Sequence, residues 1–184
     1  LGLEPGGPDG QWVQSVPLLH TRLGQAEVLG VKQGSATTAW TAGKDVYLST
    51  LQPRDKVAIS SAPLLFVGYG VSAPERGWDD FKGADLKGKV AVFLINDPDF
   101  EAAKGDDAAG KFGDRTMTYY GRWTYKFEEA ARRGAVGALI VHDTPGAGYG
   151  WNVVVSPGGE NYDLVRAPDK LTSLQLQGWI EGGA

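Results

Sequence analysis

The chain of 184 residues contains no cysteine, which removes disulfides, thiolate zinc sites and a cysteine nucleophile together. Histidine is almost as scarce: His20 and His142 are the two imidazoles, and neither stands in a His-Glu-x-x-His or His-x-Asp frame. A hydrolytic zinc site needs roughly three to five converging ligands, so the sequence assigns no metal ligand and no catalytic residue. No serine sits in a Gly-x-Ser-x-Gly elbow, and no Gly-x-x-x-x-Gly-Lys-Ser/Thr phosphate loop occurs. Long apolar runs are missing too. The runs at 90–95 and 136–141 are strand-sized, far below the ~20 residues a bilayer demands, so no membrane span is expected. Positive charge is not in excess: 18 Lys and Arg stand against 22 Asp and Glu, a formal net charge of -4, which offers nucleic acid no footprint. The first residues, Leu1-Gly2-Leu3, lack an initiating Met and a secretory pattern, and the expectation is a piece cut from a longer protein.

What is present suits one domain, with 42% apolar residues and 27 glycines. Gly, Pro and Asp punctuate short stretches rich in Val, Leu, Ile, Trp and Tyr. These predict strands at 12–19, 26–32, 45–49, 64–68, 89–95, 137–141, 152–155 and 173–180. The last alternates, with Leu174, Leu176 and Gly178 opposed to Gln175, Gln177 and Trp179, and is expected to have two different faces. One helix is predicted, over 122–133, where Trp123, Phe127, Ala130 and Ala131 form an apolar stripe and Gly134 stands as the stop. It lies between two uniformly apolar runs, the pattern of a βαβ crossover with buried parallel strands. The fold class is therefore α/β and β-rich, with one βαβ unit.

Two loops follow the apolar strands. Residues 97–118 are small and charged and read as a surface excursion. Their acids Asp97, Asp99, Glu101, Asp106 and Asp107 could face Ca²⁺, but they lack EF-hand spacing and read first as a solvated acidic loop. Residues 143–151 bring Gly146, Gly148 and Gly150 beside Tyr149 and Trp151, where ligands dock in parallel sheets. The Asp79-Asp80 pair reads as capping and turn chemistry, since adjacent carboxylates point apart and cannot share a proton.

One stretch is more specific: LFVGYGVSAP at 65–74, GWDDF at 77–81 and GADLKGKVAV at 83–92. It resembles the protease-associated domain inserted in zinc aminopeptidases of metallopeptidase family twenty-eight. Asp85 and Gly88 would make the tight turn that feeds the strand beginning at Lys89. YGRWTYKF at 120–127, AARRGA at 130–135, GALIV at 137–141 and NVV at 152–154 follow in the family's order, so the likeness covers about 63–180. The resemblance implies a swivelling β/β/α fold. It also implies a division into an amino-terminal segment (1–20) adjoining a missing peptidase domain, the protease-associated domain itself (21–180), and an exit towards the peptidase (181–184).

In that family the catalytic domain carries zinc and the general base, and this chain has neither motif. The resemblance thus implies a non-catalytic accessory domain with no cofactor of its own, the zinc belonging to the missing domain. Its partners would be the peptidase domain of the same polypeptide and a peptide substrate, in the periplasm or outside the cell. It would act as a lid governing substrate access, with Tyr119, Tyr120, Tyr149 and Trp151 as substrate-contact candidates. Trp123 reads first as core. A freestanding peptide- or protein-binding module is the alternative, and a small enzyme using His142 and Asp143 is the remote third. Surface that faces the peptidase, including part of the amino-terminal strand, would be exposed in the isolated chain and could drive self-association.

Overall fold

The two most uniformly apolar runs of the chain pair in parallel at the centre of its largest sheet, with Val90 opposite Gly137 and Leu94 opposite Val141. Strands that are covered on both faces need no polar side, which is why these runs show no alternation. The computed structural model describes residues 2–24 and 29–183. In chain order the strands are β1 (Leu18–Arg22), β2 (Leu29–Gln33), β3 (Ala36–Trp40), β4 (Val46–Ser49), β5 (Leu64–Phe66), β6 (Ser72–Ala73), β7 (Trp78–Asp79), β8 (Val90–Leu94), β9 (Gly137–His142), β10 (Glu160–Leu164) and β11 (Leu176–Glu181). The α-helices are α1 (Trp123–Arg132), α2 (Thr144–Ala147) and α3 (Trp151–Val155).

The five-stranded sheet has the order β4-β11-β9-β8-β5, in which β4 is antiparallel to β11 and the other neighbours are parallel. The pairs β1/β10, β2/β3 and β6/β7 form separate antiparallel ribbons. Helix α1 makes the crossover from β8 to β9. It lays Phe127 and Ala130 on Phe93, Ile95, Ile140 and Trp179. On the opposite face Val46, Leu48, Leu139 and Ile180 pack with Trp40 and Ile59. Phe93 is fully buried, and such burial contributes about 2 to 3 kcal/mol. The molecule is thus mixed α/β with a mostly sheet core and few helices, and no helix among the described residues is long and apolar enough to cross a membrane.

The predicted helix ends as its sequence requires: Gly134 takes φ 75°, and Ala135 N–H reaches back to the Ala130 carbonyl. Several strands differ from expectation. The first starts at Leu18 and not at 12, because Pro17 has no N–H to pair and the segment before it stays extended and exposed. Of the strand expected at 26–32, residues 26–28 lie outside the described residues, and β2 occupies Leu29–Gln33. Residues 152–155, expected as a strand, form part of α3 instead, with valines at 153–155. Val154 is buried in the core beside α1 there, and packing overrides the strand preference of valine. The last strand is paired on both edges by β9 and β4, and the core clusters on either side of the sheet cover both its faces, so Gln177, Trp179 and Ile180 are all buried. Strands β3, β6, β7 and β10 were not expected; they are short or mix polar and apolar residues without a period.

Candidate functional site

Chain leaving the carboxyl ends of β5, β8 and β9 gathers on one side of the sheet, the edge where parallel sheets place ligands. From β5 the chain turns through Gly68-Tyr69-Gly70 into the small β6/β7 ribbon. Gly70 has φ 60°, and a Cβ there would lie 2.3 Å from the Phe93 ring. Asp80 closes this turn: its carboxylate accepts the Val71 N–H and the Trp78 indole N–H, both at 2.9 Å. Burial holds the Asp80 carboxyl above its ordinary range despite those two donors. Asp79 accepts the Phe81 N–H at 3.0 Å, and Asp85 accepts the Lys87 N–H at 2.9 Å in the turn before β8, so these carboxylates do turn work.

Lys126 holds two strand ends together. It has no exposed surface, and its Nζ donates to the carbonyls of Tyr69, beyond β5, and of Asn96, beyond β8, the latter at 2.9 Å. Burial pushes the amine down to about 7, against the pull of Asp97 and Asp80. A neutral amine has two N–H donors, which match the two carbonyls. Asn96 extends the link to α2, donating from Nδ2 to the Gly146 carbonyl at 2.7 Å.

The loop after β8 departs from the expected solvated excursion. Asp97 and Asp99 are buried, and each organises the loop from inside. Asp97 accepts from the backbone and hydroxyl of Thr118 at 2.6 and 2.8 Å, and Asp99 accepts from Phe112 and Asp114 at 2.8 and 3.0 Å. Protein donors replace water at both Asp97 oxygens and at Asp99 Oδ2, while Asp99 Oδ1 is buried without a partner among the described residues, burial that charge patterning alone does not reveal. Among the described residues no three His, Asp or Glu side chains form a group that could hold a metal ion.

After β9, His142 is buried beneath Tyr149, Trp151 and Trp179, with ring centroids 5.7 to 6.1 Å away. Its Nε2 donates to the Tyr149 carbonyl at 2.9 Å, and Asp143 caps α2 through the Gly146 N–H at 2.7 Å. The imidazole through Nε2 and the carboxylate through Oδ2 thus each hold the loop in place.

The four contact candidates fall into two groups. Tyr119 and Tyr120 both pack edge-to-face on Tyr125, Tyr120 also meets Phe112 edge-to-face, and their hydroxyls donate to Glu128 and Glu75 at 2.6 and 2.7 Å. Those bonds to carboxylates raise both phenol pKa values. Tyr149 and Trp151 belong to the His142 cluster, where Trp151 donates its indole N–H to the Gly43 carbonyl at 3.1 Å. Among the described residues no ring contact joins the two groups.

Trp123 is 46% exposed, which settles its double reading against the core. It walls two neighbouring clefts on the α1 side of the sheet. One, of about 300 Å³, is lined by Tyr47, Phe127, Tyr149, Gln177 and Trp179; the other, of about 360 Å³, by Glu128, Arg132, Asp163 and Arg166. Lys126, Asn96 and Gln177 were not singled out from sequence. The signal for Lys126 was present: it stands three residues after Trp123 and one before Phe127, on the buried side of the helix.

The chain matches no family model and no curated protein. Among solved structures it is similar to an aminopeptidase from Aneurinibacillus sp. strain AM-1, at 17% identity and a TM-score of 0.39. The match covers 90% of this chain and 27% of that one, so the chain spans about a quarter of the length of the enzyme it matches.

Proposed function

We propose that the chain is a protease-associated accessory domain of a zinc aminopeptidase and acts as a lid that governs which substrates reach the active site of an attached catalytic domain. The observation that carries this reading is the connected form of the segment bearing the resemblance. The turn at 68–70, the β6/β7 ribbon, Asp80 and the turn at Asp85 make one hydrogen-bonded unit leading from β5 into β8. Asp79, Asp80 and Asp85 each accept a backbone N–H from within the motif. Catalysis and zinc belong to the attached domain in this reading, and the setting is the periplasm or the cell exterior.

Tyr119, Tyr120, Tyr149 and Trp151 would meet substrate. Tyr119, 53% exposed, offers its ring face while Glu128 fixes its hydroxyl. The test is removal of this domain from the full-length enzyme. Activity on an aminoacyl reporter should persist while the preference among peptides of different length changes. Unchanged length preference overturns the lid, and a complete reading frame without peptidase residues overturns the attachment, leaving a freestanding module.

A further inference from the structure

We infer that the cleft between α1 and β11 is a binding site for a large uncharged side chain carried in the interior of a peptide, and not for a chain end. The inference goes beyond the accessory-domain reading and does not depend on an attached peptidase.

Its walls are the rings of Tyr47, Trp123, Phe127, Tyr149 and Trp179, and among the described residues none that lines it carries a charge at neutral pH. At about 300 Å³ the cleft falls at the lower end of the range that ligand sites occupy. An ammonium or carboxylate brought there would lose its water without gaining a counter-charge, which is strongly unfavourable. The adjoining cleft offers chain ends nothing better. Its Arg166 is bonded to Asp163 at 3.0 Å, its Arg132 to Glu129 at 2.6 Å and its Lys170 to Asp169 at 3.5 Å, so each of these cations already has a carboxylate partner.

Polar recognition rests on Gln177. The residue is 9% exposed, lines both clefts, and its side-chain amide makes no hydrogen bond among the described residues. A primary amide both donates and accepts, and so complements a peptide group. The Tyr149 hydroxyl is likewise without a hydrogen bond among the described residues, while burial raises its pKa. Trp123 completes the site. Held edge-on by Phe127 at 6.0 Å, it presents a half-exposed indole with little rotamer freedom left to lose, the kind of group that dominates peptide interfaces.

The test is titration of the ¹⁵N-labelled 184-residue protein with N-acetyl-phenylalaninamide, an uncharged probe bearing a ring between two amides. Saturable shifts should centre on the Gln177 side-chain amide and the indole N–H groups of Trp123 and Trp179. Free phenylalanine, with the same ring and both charges, should bind at least about tenfold more weakly. Gln177→Leu should weaken the acetylated probe about three- to tenfold. Trp123→Ala should weaken it about tenfold or more, and because the residue is half-exposed the melting temperature should move by no more than about 2 °C. Shifts that scatter or never saturate overturn the inference. So does equal binding of free phenylalanine, or unchanged affinity in Trp123→Ala, a variant that decides the matter even if Gln177→Leu does not fold.

Discussion

A lysine with no exposed surface is defined by what its nitrogen can reach, and Lys126 reaches the Tyr69 and Asn96 carbonyls. Desolvation brings its pKa to about 7 from 10.5 in water. Below pH 7 both the folded and the unfolded chain carry the proton, and folding bears the cost of burying the charge. Between the two values the unfolded chain still binds a proton that the folded chain has released, so stability rises with pH. Tyr69 and Tyr125 act the other way above pH 10, because burial raises their folded pKa values and the unfolded phenols ionise first. Urea midpoints should therefore climb from pH 7 to about 10 in the wild type and be flatter in Lys126→Met. A wild-type midpoint that is level or falls across that window counts against the neutral amine. Gly70 is the second residue with a sharp expectation. Alanine there combines a left-handed backbone, about 1 to 2 kcal/mol, with a Cβ driven into the Phe93 ring, about 1 to 3 kcal/mol. Gly70→Ala should thus lose about 2 to 5 kcal/mol in urea unfolding, and a loss below 1 kcal/mol would mean that the ring has room to move.

Between elements, the β6/β7 ribbon is too short to stand alone and depends on two side chains from outside its ladder. Asp80 receives the Val71 N–H, and the phenol oxygen of Tyr125 on α1 receives the Ser72 N–H at 3.0 Å. Asp80→Ala strands a backbone donor beside fully buried Val71 and should cost about 1 to 3 kcal/mol. Tyr125→Phe should cost about 1 kcal/mol. Hydrogen exchange at Ser72 and Ala73 should quicken in both variants while Val90–Leu94 stays protected; uniform quickening would show that the ribbon unfolds only with the whole. These elements also mark what sequence could and could not reveal. The crossover β8-α1-β9 was legible because burial on both faces leaves uniform apolar runs and the helix leaves a stripe. The Asp80 and Asp85 turns were legible because carboxylates beside glycines have few other uses. Gln177 and Asp97 were not, since each is a polar residue whose burial depends on partners distant in the chain, or on their absence. Residues 152–155 misled because a valine run has the same composition as strand or as buried helix.

At the scale of the molecule, two surfaces are unusually apolar and compete as sites of self-association. One is the free edge of β5, where Leu64 and Phe66 are exposed on the outermost strand of the main sheet. The other joins the amino-terminal segment to the β1/β10 ribbon. There Trp12, Val13 and Val16 lie exposed near Leu18, which pairs across the ribbon with exposed Leu164. The second should prevail. Among the described residues the two-stranded ribbon has an unpaired edge on each side and is marginal by itself, whereas β5 is short and has one free edge. The ribbon surface also gathers more large side chains, and apolar area sets the driving force. Sedimentation or light scattering should show a mass that grows with concentration. The double substitution Trp12→Ser with Val13→Ser should restore a monomer, while Phe66→Lys should leave association unchanged. A monomer at every concentration would show that neither surface is sticky enough to matter, and a monomer only in Phe66→Lys would move the contact to the sheet edge.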